Sequence, residues 1–201
     1  MRTRASFTAA LLAAAGMALW LGPGAAAQNT GSMSANANST GQNVSSTDAK
    51  FLRKAAQDDK AEIDLAKMAQ QRASSPAVKQ FAQQLEQGHT AALHKTKQVA
   101  ASEGVALPSK PGKGENKEAE RLSKLSGPEF DRAFVQYQMS AHRKDIAAFQ
   151  YEAANGQNPQ IKQFAANSVP GLEHHLMLAE QTASAIGVST TGTAANAAAP
   201  K

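Results

Sequence analysis

The 201 residues are 42% hydrophobic, 18% charged and only 5% aromatic, a balance that suits one domain of close-packed helices rather than sheets. There are no cysteines, which excludes disulfides, thiolate metal sites and lipid attachment through sulfur. The formal charge of +5 falls to +3 without Arg2 and Arg4 and forms no basic stripe interleaved with aromatics, so nucleic acid is not an expected partner.

Residues 1–27 read as a secretory signal. Arg2 and Arg4 give a positive start, an apolar run extends from Phe7 to Leu21, and Gly22-Pro23-Gly24 breaks it. Ala25-Ala26-Ala27 then supplies the small residues of a cleavage site before Gln28. The rival reading is an uncleaved anchor, for which the run is slightly short. Cleavage would leave an exported, periplasmic chain with no stable membrane span. Residues 28–46 are uncharged Ser, Asn, Gly, Thr and Ala up to Asp48 and read as a flexible linker; residues 188–201 read as a loose tail.

Between them lie four long helical patterns. The first runs from Thr47 to Ala73, with Thr47 or Asp48 as cap and a stripe of Phe51, Ala55, Asp58, Glu62, Leu65 and Ala69. Ser74-Ser75-Pro76 ends it and opens the second, with Ser75 as cap and Pro76 at the first helical position. The second runs to Ser102 and lines up Val78, Phe81, Leu85, His89, Ala92, Thr96 and Val99. So short a link requires an antiparallel hairpin. Residues 103–127 form a long connection broken by Gly104, Pro108, Pro111, Gly112 and Gly114, with a short charged helix at Glu115–Leu125. Its length reaches roughly 40 Å at the rise of a helix, enough to cross a bundle, but leaves open whether it does.

The third long helix runs from Pro128 to Ala154, with Val135, Met139, His142, Ile146 and Phe149 on one stripe and Phe130, Phe134 and Tyr137 widening it. Asn155-Gly156 stops it. Asn158 caps the fourth and Pro159 opens it; Ile161, Phe164, Ser168, Leu172, His175, Ala179, Thr182 and Ile186 share a face, and Pro170 interrupts the backbone bonding. The fold expected over residues 47–187 is all-α: a ferritin-like four-helix bundle of two helical hairpins joined by a long connection containing a short helix.

Glu62, His89, His142 and His175 each fall on the apolar stripe of a different long helix, within about one turn of its centre. A midpoint stays at mid-height whichever way its helix runs, so the four can share a layer. Burying a carboxylate and three imidazoles is costly unless each is satisfied, and one divalent ion would satisfy all four. Three nitrogens and one oxygen suit zinc, copper, nickel or iron. The alternative is that Glu62 hydrogen-bonds the histidines without metal. Asp58, one turn from Glu62, is a candidate additional ligand. Glu86-Gln87-Gly88-His89 has the E-x-x-H spacing of di-iron bundles, but His142-Arg143-Lys144-Asp145 reverses it and Glu173 stands beside His174, so a second copy is missing. His94 and His174 lie off their stripes and read as surface residues.

At these residues the chain resembles a bacterial family, the exported proteins of domain of unknown function 4142. The resemblance is carried by Phe51, Ala55 and Glu62, by Val78-Lys79-Gln80-Phe81-Ala82 and His89, by Phe130-Asp131, His142 and Phe149, and by Ile161-Lys162, Ala165, Pro170 and His175-Leu176. It implies a ferritin-like bundle and export, and supplies no activity. The family usually carries an acid immediately before the second-helix histidine; this chain has Gly88.

The expected function is an exported bundle that binds a single transition-metal ion, in storage, buffering or a stress response. The alternatives are a metal-free structural or interaction bundle of the cell envelope and, with fewer carboxylates than it needs, a di-iron oxidase or ferroxidase. No pattern assigns a catalytic residue.

Overall fold

In the computed structural model, which describes residues 44–190, the chain forms five helices and, among those residues, no strand. They are α1 (Ser46–Arg72), α2 (Pro76–Ser102), α3 (Lys113–Ser123), α4 (Gly127–Asn155) and α5 (Pro159–Ala185). The leader, most of the linker and the end of the tail expected from the sequence lie outside the described residues. Residue 188, expected in the tail, belongs to the folded part. Val188 is buried, and its N–H reaches the Ala183 carbonyl at 2.8 Å past Gly187, whose φ of 69° lets the chain turn back there.

Short links make α1–α2 and α4–α5 antiparallel hairpins, and each hairpin's second helix opens with a proline, Pro76 or Pro159, whose missing N–H costs nothing there. Contacts at the two ends fix how the hairpins dock. At one end Asp48, in the first turn of α1, meets Gln157 and Asn158 between α4 and α5, and Glu103, just past α2, meets Asn158. At the other end Asp131, near the start of α4, meets Ser74 and Ser75 between α1 and α2. Helices α2 and α4 therefore run parallel, and the connection between them travels the length of the bundle. It runs beside α1, held by Arg53 on the Ala106 carbonyl at 3.1 Å, by Lys60 on the Pro108 carbonyl, and by Lys54 on Glu115 at 2.7 Å. A single long crossover is the connectivity of ferritin-like bundles.

The two aspartates act reciprocally. Asp131 accepts from the backbone N–H groups of Ser74 and Ser75 at 3.1 and 2.9 Å and from the Ser74 hydroxyl at 2.5 Å. Asp48 accepts from the N–H groups of Gln157 and Asn158, the latter at 2.7 Å. Each hairpin thus satisfies donors in the other hairpin's turn. One of the two expected caps moves. Ser45, not Thr47 or Asp48, caps α1, its Oγ accepting from the Asp48 N–H at 3.0 Å. Ser75 stands at the N-cap of α2 as expected, but its side chain makes no cap bond, and its own N–H is taken by the Asp131 carboxylate.

Apolar side chains form two clusters, one at each end. Leu65, Phe81, Leu85, Phe130, Phe134 and Val135 lead the first; Leu52, Val105, Ile161 and Phe164 lead the second. Each such side chain, fully buried, contributes roughly 1.5–3 kcal/mol. Between the clusters the bundle is polar: Asp59, Glu62, His89, Thr96, Gln138 and His142 are all buried. That layer breaks the core at mid-height, where a divided core would be weakest, so its presence calls for a chemical account.

Candidate metal centre

Every helix of the bundle contributes to the polar layer. His89 of α2 and His142 of α4 face each other across the diagonal, their Nε2 atoms 3.4 Å apart. His175 of α5 completes a triangle of rings, with centroids 4.9 Å from His89 and 5.4 Å from His142, against 5.5 Å between the first two. One nitrogen from each of the three rings lies within 4.8 Å of the others. His89 and His142 are buried and His175 is half-buried.

The far sides of two rings are tied. His89 Nδ1 lies 3.0 Å from Asp59 of α1, a carboxylate that also accepts from Thr96 Oγ1 at 3.2 Å. His142 Nδ1 lies 3.0 Å from the Gln138 carbonyl one turn earlier. Carboxylate and carbonyl only accept, so both Nδ1 atoms carry protons and donate. The Nε2 atoms then bring lone pairs toward one another, which is repulsive unless a proton or a cation lies between. His175 Nδ1 is buried and has no hydrogen-bond partner.

Charge is distributed unequally over the three rings. Burial pushes His142 down to about 3, and the neighbouring His89 and His175 add to that. Burial pushes His175 down to about 3 as well, with His89 and His174 contributing. Burial acts to lower His89 too, but the hydrogen bond to Asp59 and the charge of Glu62 outweigh it and hold it above the ordinary histidine value. At neutral pH two rings are therefore neutral donors of lone pairs, and the third has a use for an extra proton.

Glu62, expected as the fourth member, is not part of this group. It is buried on α1, but its Oε2 accepts from Gln138 Nε2 at 2.6 Å. Burial pushes its carboxyl up to about 7, with the His89 charge and the Gln138 amide pulling back. Its other side faces a second cavity, of about 550 Å³, between α1, α3 and α4, where Lys54, Asp58, Glu115 and Asp145 also lie. Asp58 pairs there with Lys54 and not with the histidines. Burial pushes Asp58 up to about 8 and Asp145 up to about 6. Glu86, the acid of the E-x-x-H spacing, accepts from Gln70 at 2.6 Å on the outside of the hairpin. His94 and His174 are exposed, as their positions off the stripes predict.

Asp59 and Gln138 were not singled out from the sequence. Both had a signal: Gln138 stands one turn before His142, and Asp59 stands one turn before Glu62 on the face of Leu52, Ala56 and Ala66, all buried.

Comparison with known proteins agrees with this architecture. A family model described as domain of unknown function DUF4142 matches residues 32–182. The chain belongs to the DUF4142 family. Among curated proteins none matches it. A crystal structure of a DUF305 protein from Streptomyces coelicolor, described as secreted, is similar in fold, with a TM-score of 0.61 at 15% identity, over 73% of this chain and 96% of that one. Within the described residues of this DUF4142 chain no helix is long and apolar enough to cross a membrane.

Gly88 of α2 stands against the histidine group. A Cβ placed on Gly88 would lie 2.3 Å from His175 Nε2, well inside contact. The glycine is the floor on which the His175 ring rests. With no side chain at Gly88, an imidazole from α5 lies directly against the α2 backbone.

Proposed function

We propose that this protein holds one divalent transition-metal ion, zinc, copper, nickel or iron, between His89, His142 and His175. The observation that carries the reading is the pair of opposed Nε2 atoms 3.4 Å apart, each with its Nδ1 tied to an acceptor. Two imidazoles on a tetrahedral ion at bonds of 2.0–2.1 Å stand about 3.3 Å apart. The third nitrogen, within 4.8 Å, joins by a ring shift on the order of 1 Å. Asp59 behind His89 and the Gln138 carbonyl behind His142 are the acceptors that metal-bound histidines ordinarily use. Glu62 stands beside the set as a charge partner rather than a required ligand.

The role that fits is storage, buffering or a stress response in an exported protein; the basic, apolar and small-residue leader and the description of the DUF305 neighbour as secreted support export. The metal-free envelope bundle is the second reading. What favours it is the same 3.4 Å spacing, because one proton on His89 Nε2 shared with His142 would also join the rings.

Metal titration separates them. Stripped of metal with a chelator, the mature chain should gain about 2.7 kcal/mol of stability at a hundredfold excess of zinc, copper or nickel over Kd, read as a rise in Tm with one equivalent per chain. His89→Ala, His142→Ala and His175→Ala should each remove most of the rise, while His174→Ala, an exposed ring about 100° round the helix, should leave it. The metal-free reading expects no rise with any ion. An equal rise in wild type and in His89→Ala and His175→Ala would place the ion elsewhere.

A further inference from the structure

The three-histidine group is not sealed. A cavity of about 270 Å³ opens between α2 and α5 and reaches Asp59, His89 and His175. Exposed Lys95, Asn167 and Gly171 stand at its mouth, and Phe149, Phe164 and Leu172 give it apolar walls. The space exists because the facing helices carry small residues: Gly88, Ala91 and Ala92 on α2, Ser168 and Gly171 on α5. It holds roughly nine waters at about 30 Å³ each, so it admits only a small molecule.

Chemistry narrows the class. Three neutral imidazoles give a divalent ion no negative charge, and three protein ligands leave a tetrahedral position open. An incoming donor therefore gains most if it is an anion with a lone pair, and the Lys95 ammonium at the entrance favours the same sign. We propose that the α2–α5 cavity admits a small anion to the open position of an ion held by His89, His142 and His175. The inference rests on the metal reading above.

Azide is the probe, and cobalt(II), which has visible bands that respond to its ligands, is the metal. Cobalt uptake by full-length mature protein is measured first; failure to take up one cobalt with tetrahedral bands overturns the metal reading itself, before any azide is added. Azide should then shift those bands saturably, one per cobalt. Gly171→Leu and Ala92→Leu should each weaken azide binding by about tenfold or more while leaving cobalt uptake unchanged. Gly171 accepts the change because a Cβ there meets nothing within 4 Å. Gly114→Leu, equally unobstructed but lining the opposite cavity, should have no effect. Loaded protein whose bands ignore azide overturns the inference and leaves the metal site standing. So does azide binding that is unchanged in both narrowed variants, or weakened by Gly114→Leu instead.

Discussion

The bond from His89 Nδ1 to Asp59 decides what the other nitrogen of that ring can do. It fixes the tautomer, turns Nε2 toward His142, and makes the ring a stronger base. Asp59→Ala should therefore weaken metal binding by about 10–100-fold without changing the stoichiometry, measured by competition with a chelator of known affinity. The same bond sets a pH dependence. With His89 held above its ordinary value, a proton on Nε2 must leave as an ion arrives. His142 and His175, at about 3, have no proton to lose near neutrality. Affinity should thus rise with pH through the raised His89 value and fall below it. Calorimetry in buffers of different protonation enthalpy should report proton release on binding that grows as pH falls through the raised His89 value. The three histidines were legible because each lies on an apolar stripe where a lone polar residue stands out. Asp59 was not, because it sits next to another acid and α1 buries both Ala55 and Ala56, so the helix has a face wide enough to draw two stripes. Glu62 was placed in the right layer but with the wrong partner: periodicity gives height and face, and cannot show that Gln138 reaches it first.

Helix boundaries follow from proline, glycine and capping residues, and all five elements lie within two residues of their expected ends. What a single helix could not reveal is how it docks. The Asp48 carboxylate looked like a local cap because the sequence lists its neighbours in order, whereas its acceptor role is met by residues 109 and 110 positions away. The crossover direction was hidden for the same reason. At the level of α2 and α5, Gly88 is the point of closest approach to His175, and an acid there cannot coexist with the ring in its present place. Gly88→Asp should push His175 out of the group and abolish the metal-induced rise in Tm as fully as His175→Ala does. The helix should remain, since aspartate is no worse a helix former than glycine. Circular dichroism beside the melting curve checks both parts.

Taken whole, the bundle is closed at both ends by Asp48 and Asp131. Removing either buried carboxylate takes a charged acceptor from two backbone N–H donors at once, so Asp48→Ala and Asp131→Ala should each cost about 2–4 kcal/mol in urea unfolding. The two sit at opposite ends and share no partner, so the double variant should show the sum to within about 0.5 kcal/mol.

That reciprocity also orders events during synthesis. When the first hairpin leaves the ribosome, the N–H groups of Ser74 and Ser75 have only water as acceptor, because Asp131 is 57 and 56 residues further on. When the second emerges, its acceptor, Asp48, was made long before. The early half of the chain must wait for the late half, and the late half finds its mate already present. Docking of the two hairpins through these contacts therefore waits until the second hairpin has been made.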